Sequence, residues 1–328
     1  MTFEMQYKIM IGEYRVVALD SVTIKKSVEN LADTATIVIP GTYINKSLQV
    51  EDKISEGDAV EIYLGYDDNI LLEFKGYVNA ISTDDSAIKI ECEDALYLFR
   101  KSLKDVELKS ISLKSLLTKV VGEVNQQNKE NKTPTNYTVK CDYDFTWSKF
   151  VFFKATALDV LKKVQEETKA NIYFKEDVLH IHPPYSEIIN SKPVIFDFAA
   201  NIEKSDLKYV KAKDKKIEVE VTVTLPNGDK KSQKFGQQGG TTIKKISGST
   251  KEADMKRVAE SEYNLWVYDG YEGNFTCWLI PYVEPTYKVH LQDSEYTNKN
   301  GNYYVVATET SFSSSGGIRK VTLGRKIG

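Results

Sequence analysis

The sequence predicts an α+β fold dominated by β-structure: two barrel-like β domains with an α/β unit between them. Three observations predict it. Period-two and β-branched runs fill the first ~100 residues, two segments with helical spacing of apolar residues occupy the middle, and alternation returns after Lys216. The expected divisions are 1–104, 105–185 and 186–328, the last carrying one inserted helix at about 250–266.

In the first division the clearest strands are Val16–Leu19, Val22–Ile24, Thr36–Ile39, Val60–Leu64 and Ile88–Cys92. The last two alternate apolar and polar residues, so one face packs and the other is wet. Pro40-Gly41, Glu56-Gly57-Asp58 and Asp67-Asp68-Asn69 supply turn chemistry between strands. Short strands at this spacing suit a closed or nearly closed barrel, because closure removes unpaired edges. A short helix from Asp94 to about Lys101 follows.

The middle changes period. Leu113, Leu116, Leu117, Val120, Val121 and Val124 share a helical face, with Ser112 as N-cap. The polar stretch Asn125–Asn136 reads as an exposed, mobile loop. A second helix, TALDVLKKVQEETKA from Thr156, opens on a Thr156/Asp159 pair resembling a capping box, with Leu158, Leu161 and Val164 on one face. Asn171–Phe174 and Val178–His182 form a hairpin about Lys175-Glu176-Asp177, and Pro183-Pro184 ends it.

The last division is mostly strand. Lys216–Leu225 alternates, then meets the turn Pro226-Asn227-Gly228-Asp229, and Lys230–Phe235 returns. Gly236–Gly240 reads as a flexible connection, and Thr250 caps a helix reaching about Leu265. Strands around Phe275–Ile280, Thr286–Leu291, Tyr303–Phe312 and Gly317–Leu323 complete the chain. No sequence repeat links the two β portions.

Composition narrows the function classes. Of 328 residues 28% are charged and 41% hydrophobic, ordinary values for a chain with two or three cores. The 47 acidic residues outnumber the 44 basic ones, and no basic stripe stands out, so specific nucleic-acid binding is not expected. No window approaches the ~20 consecutive apolar residues of a membrane span, so no membrane insertion is expected either. The N-terminus, MTFEMQYKIMIGEYR, lacks the basic-then-apolar layout of a signal peptide, which places the expected start of the chain in the cytoplasm. Cys92, Cys141 and Cys277 are far apart and odd in number; each reads as a buried thiol within a strand.

Candidate chemistry is sparse. His180 and His182 share a strand face and could reach one metal ion, but no His/Cys cluster supplies further ligands. Glu91, Glu93 and Asp94 could hold an acid/base pair, yet acidic residues at a helix N-terminus are favoured by the helix dipole alone. Gly236–Gly240 lacks the Lys-Ser/Thr of a phosphate loop. The 20 tyrosines suit strand faces, protein interfaces or sugar stacking equally. No catalytic, cofactor-binding or metal residues are assigned, no cofactor is expected, and the chain does not read as an enzyme.

Four segments together resemble the phage late control D and baseplate hub family, related to the hub part of type VI secretion spike proteins. They are IKIECEDALYLFR (88–100), TALDVLKKVQEETKANIYFKEDVLHIHPPY (156–185), YDGYEGNFTCWLIPYVEPTYKVHL (268–291) and GNYYVVATETSFSSSGGIRKVTLGRKIG (301–328). The resemblance follows the order of elements along nearly the whole chain. It implies a ring-shaped homotrimer in which each subunit donates two barrel-like domains. Three subunits then make a pseudo-sixfold ring between a hexameric tail tube protein and a trimeric spike. With no β-helical or lysozyme-like extension by Gly328, the spike is expected to be a separate polypeptide. Other baseplate proteins and the tape measure protein are the further partners implied. The expected location is the virion tail or baseplate, or an injection particle, assembled in the bacterial cytoplasm.

On this reading function follows from symmetry. A threefold part meets six tube subunits only if each chain carries two similar surfaces. Aromatic anchors would supply binding energy, and Tyr268, Tyr271, Trp278 and Tyr282 are the expected interface residues, with intrachain packing the equal alternative for each. Two rival functions remain: a tail-associated cell-wall hydrolase using Glu91 or Glu93, and a carbohydrate-binding β protein.

Overall fold

Strand alternation builds most of this chain. The computed structural model describes residues 4–41, 53–83, 87–168, 170–225, 228–246 and 252–327. Its N-terminal portion contains β1 (Met5–Ile11), β2 (Tyr14–Arg15), β3 (Ser21–Ser27), β4 (Thr34–Pro40), β5 (Ala59–Tyr66), β6 (Asn69–Thr83) and β7 (Ala87–Glu93). Alternate residues such as Ile9, Ile24, Ile37, Val60 and Ile90 point inward and make one core. Asp67 and Asp68, both at positive φ, form the two-residue turn joining β5 to β6, as a tight hairpin requires. Val16–Leu19 is not a strand, contrary to its β-branched composition. The chain leaves the ladder after Arg15, Val16 drops into the core, and Val17 is exposed. Local propensity is overridden by the end of the β1–β2 hairpin.

Asp94 caps a 3-10 turn, Ala95–Arg100, by accepting from the Leu96 N–H at 2.9 Å. Then follow β8 (Val106–Ser112), α1 (Leu113–Glu130), β9 (Thr138–Cys141), β10 (Thr146–Phe152), α2 (Ala157–Thr168), β11 (Asn171–Lys175) and β12 (Val178–His182). Ser112 caps α1, and Thr156 and Asp159 exchange reciprocal hydrogen bonds at the start of α2. Both helices lay their apolar faces on a core that includes Phe150, Ile172 and Leu179. The expected loop at Asn125–Asn136 is corrected: α1 runs on to Glu130. Asn128 is fully buried, accepting from Lys101 Nζ and donating to Thr135 Oγ1, while Asn125 caps both backbone groups of Tyr137. Paired amides replace apolar residues on the inner face there, so a polar sequence hides a packed helix end.

The remaining strands are β13 (Val194–Asp197), β14 (Lys204–Ser205), β15 (Lys208–Val210), β16 (Ile217–Thr224), β17 (Lys230–Gly236), β18 (Thr241–Ile246), β19 (Gly270–Trp278), β20 (Lys288–Gln292), β21 (Gly301–Ser313) and β22 (Gly316–Ile327), with α3 (Glu252–Trp266) between β18 and β19. Strands β16 and β17 pair as the expected hairpin. Pro226, Asn227 and the Thr250 cap lie outside the described residues. Gly236–Gly240 is not a loose linker. It carries the chain across the start of β16, where a Cβ on Gly236 would lie 2.5 Å from the Ile217 carbonyl and one on Gly240 would lie 2.4 Å from that of Lys216. Glycine is needed there for close approach.

One 14-stranded sheet runs β14-β19-β22-β21-β3-β4-β7-β6-β5-β1-β2, with β13, β15 and β20 attached beside that path. Its middle joint is β21 on β3, antiparallel from Ala307 opposite Ser27 to Ser313 opposite Ser21. The N-terminal and C-terminal β portions therefore share backbone hydrogen bonds. Both faces of β21 are covered where Tyr303, Tyr304, Val305 and Val306 stand, so all four are buried. Tyr303 and Val305 enter the C-terminal core, while Tyr304 and Val306 join Val28 and Tyr173 in a small cluster spanning all three parts of the chain.

Candidate interaction surface

Strand parity decides what the C-terminal sheet shows to solvent. Along β19, Phe275 and Cys277 turn inward, so Trp278 turns out and is 52% exposed. Opposite it on β22 stands Ile318, also exposed, and Ile280 lies just beyond the end of β19. A cleft of about 490 Å³ opens here, walled by Trp278, Ile280 and Pro281 on one side and Ala200, Asn201, Ile202 and Glu203 on the other. The second wall is firm: Asn201 accepts from the Asp197 N–H at 2.8 Å and donates to the Ile195 carbonyl at 3.1 Å. Exposed apolar rings beside a fixed apolar cleft are the features of a protein contact surface.

Behind this surface the two β portions are pinned by charge. Arg319, 0% exposed, donates to the Leu279 carbonyl at 2.7 Å and to Thr310 Oγ1 at 3.3 Å, and its guanidinium lies 5.0 Å from the Tyr282 ring centroid. Its other nitrogen pairs with Glu73 of β6. Glu73 reaches it because it is the extra residue of a bulge: Ile62 faces Phe74 and Tyr63 faces Leu72, leaving Glu73 unpaired and turned inward. Alongside, Tyr282 donates to Glu284 at 3.1 Å. Burial pushes the Glu284 carboxyl upward, but Lys26 and Lys175 outweigh it and hold the group below its usual value.

The four expected interface residues fall in different places. Trp278 fronts the cleft. Tyr271 is 7% exposed within the C-terminal core, edge-on to Tyr209 at 5.2 Å. Tyr282 lies half-buried against Arg319, and Tyr268 lies half-buried with the Lys215 ammonium 4.4 Å from its ring. Ile280, Ile318 and the Ala200–Glu203 wall went unread, since an exposed isoleucine in a strand looks like any other alternate residue. Arg319 did leave a signal. It occupies the same parity as Val321 and Leu323, an apolar register in which arginine needs a buried partner.

The residues weighed for chemistry are tied up structurally. Glu93 receives both Arg100 Nε and Nη2 at 2.7–2.9 Å, and Glu91 pairs with Lys89. His180 and His182 close on Glu187, which also takes a hydrogen bond from Tyr173 at 2.8 Å and an ion pair from Lys140. Burial opposes ionisation of Glu187, yet these partners carry its carboxyl well below the usual range. The cluster fastens the segment after Pro183-Pro184 to the hairpin. Among the described residues no group of three or more His, Cys, Asp or Glu is arranged to hold a metal ion. Cys92 and Cys277 are buried, whereas Cys141, expected to be buried, is half-exposed because β9 lies at the edge of its three-stranded sheet.

No protein-family model matches this sequence, and no curated protein matches it in sequence. Solved structures match it from end to end. A tail protein from Neisseria meningitidis MC58 is 13% identical with a TM-score of 0.68, over 98% of this chain and 96% of that one. The 43 kDa tail protein of prophage MuSo2 from Shewanella oneidensis is 12% identical with a TM-score of 0.65, over 98% of both chains. The E. coli c3393 protein, a type VI secretion component described as structurally similar to T4 tail proteins gp27 and gp5, is 8% identical with a TM-score of 0.60, over 99% of this chain and 79% of that one. At such identities the likeness shows a shared fold, that of phage tail and type VI secretion proteins, the group the sequence resembles.

Proposed function

We propose that this protein is a structural hub of a phage tail or phage-tail-like injection system, with no enzymatic role. It would be located in the virion tail or baseplate, or in the injection particle. The observation that carries this reading is the end-to-end match to tail proteins, over nearly the full length of both chains. The finer reading is a homotrimeric ring between a hexameric tube and a separate trimeric spike, contacting other baseplate proteins. Two β portions per chain, in a division at about 1–104 and 186–328, would let three subunits present six comparable surfaces. The sharing of one sheet across β3 and β21 supports a rigid spacing between those surfaces. Trp278 and its cleft are the contact surface we favour.

The hydrolase alternative loses support from the ion pairs that occupy Glu91 and Glu93. The discriminating experiment is mass measurement in solution, alone and with the co-expressed tube and spike candidates encoded beside it. Trimers in either condition are expected. A chain that stays monomeric with both partners present, or that degrades purified peptidoglycan, would overturn the reading.

A further inference from the structure

The large sheet carries a repeat that the residue types hide. Its N-terminal part runs β3-β4-β7-β6-β5-β1. Its C-terminal part runs β14/β15-β19-β22-β21-β20-β13, with the interrupted strand β14–β15 standing where β3 stands. Leaving aside the short β2 and the separate β16–β18 sheet, the strands correspond one for one in chain order. Only the last pairing differs in direction: β1 joins β5 antiparallel, and β13 joins β20 parallel.

The match extends to single residues. Val78 of β6 exchanges backbone hydrogen bonds with Gly57 and Asp58 at 2.8 and 2.9 Å, and Val305 of β21 does so with Thr286 and Tyr287 at 2.9 Å. Gly57 and Thr286 both sit at positive φ, +89 and +74. The row Ile81-Ile90-Ile37 across β6, β7 and β4 repeats as Thr308-Val321-Phe275 across β21, β22 and β19. In the same register, Lys25 opposite Thr34 repeats as Lys208 opposite Glu272.

The two parts differ at their edges. Beyond Val305, β21 takes β3 along the side away from β22, with Ala307 opposite Ser27. Beyond Val78, the corresponding side of β6 meets no strand among the described residues. The counterpart of β3, β14–β15, has β19 on one side and no described strand on the other. Each chain thus carries two unfilled edges whose registers match the filled joint.

We infer that these edges pair between copies of this chain, residues 80–83 of one running antiparallel to residues 207–210 of the next. By correspondence with β21 on β3, Ala80 stands opposite Val210 and Ser82 opposite Lys208. This pairing rests on the homotrimeric reading above and names the strands that would hold the trimer together. Three features favour it. Unpaired edges recruit strands, and residues 79–83 carry no lysine or proline to prevent that. Lys204 and Lys208 on the other edge repel a second edge of their own kind, which favours unlike pairing. Ile81 and Tyr209, each half-buried against its own core, would meet across the joint. Because the two edges are unlike, the contact is head to tail, and it closes at three copies if it turns as the joint within the chain does.

A disulfide across the joint tests this. Val28 donates to the Val306 carbonyl at 3.1 Å, which makes Glu309 and Lys25 a close, non-hydrogen-bonded pair. Their counterparts, Ser82 and Lys208, therefore suit a disulfide. Both are exposed, so substitution leaves the fold intact. Ser82→Cys with Lys208→Cys would be made in a Cys141→Ser background and oxidised, alone and with the co-expressed tube and spike candidates. Lys25→Cys with Glu309→Cys, which should link within one chain, is the positive control. The expected product on a non-reducing gel is a covalent trimer, at least tenfold more abundant than with Ser82→Cys and Lys204→Cys, four residues out of register. Mixing chains that carry one substitution each should give covalent dimers only. A chain that is trimeric by mass yet does not link at this pair overturns the joint and leaves the trimer standing. A chain that stays monomeric with both candidates present overturns both. Equal linking out of register, or linking of Ser82→Cys to itself, also overturns the joint.

Discussion

Arg319 and Glu73 show how much one buried pair can decide. Arginine stands in the apolar register of β22 and glutamate on a bulge of β6, so each would be an isolated interior charge without the other. Arg319→Met should cost about 3–5 kcal/mol, since it strands Glu73, whereas joint replacement by Met and Leu should cost far less. Urea denaturation of the single and double variants checks this, and equal losses would contradict it. Asp33 has the opposite sign. With its carboxyl raised to about 6, the folded state binds more protons than the unfolded chain between about pH 4 and 6. The penalty is fully present above that window and disappears below it. Asp33→Asn should therefore be more stable than the parent by roughly 1–2 kcal/mol at pH 7.5 and indistinguishable at pH 4.

At the scale of elements, caps and periodicity were legible because they are local. Ser112, and Thr156 with Asp159, start helices as their spacing implies. Failures came where a distant contact replaced the local rule. Asn125 and Asn128 extend α1 through amide pairing that polarity disguises as loop. Gly236 and Gly240 read as slack, yet they permit contact with the backbone of Lys216 and Ile217. Gly236→Ala should destabilise the protein by about 1–3 kcal/mol, given its φ of +108 and the close carbonyl. The effect should concentrate on β16–β18 and α3, read by hydrogen exchange. Uniform protection in that region would show that the crossing tolerates a side chain.

Across the whole molecule, the joint between β3 and β21 makes one sheet from two distant stretches of chain. Trp278 and Ile318 stand on that sheet's outer face, where exposed apolar area favours contact with another protein. Trp278→Ala should leave the melting temperature of the isolated chain within about 2 °C, because a half-exposed ring contributes little to the core. The same variant should weaken assembly at least tenfold, measured by dilution-dependent mass. Unchanged assembly would remove the cleft from the contact surface.

The fold class and the helix positions follow from the sequence alone, because periodicity, caps and turn residues act within a few positions along the chain. The resemblance to tail and type VI secretion proteins was also legible, through the order of four segments. The tertiary structure alone decided that β3 pairs with β21, that a bulge turns Glu73 toward Arg319, and that the expected interface residues separate, Tyr271 into the core, Trp278 onto the cleft, and Tyr268 and Tyr282 beside Lys215 and Arg319. Each of these depends on strand register between residues far apart in sequence, and a one-residue shift in register reverses which face a side chain occupies.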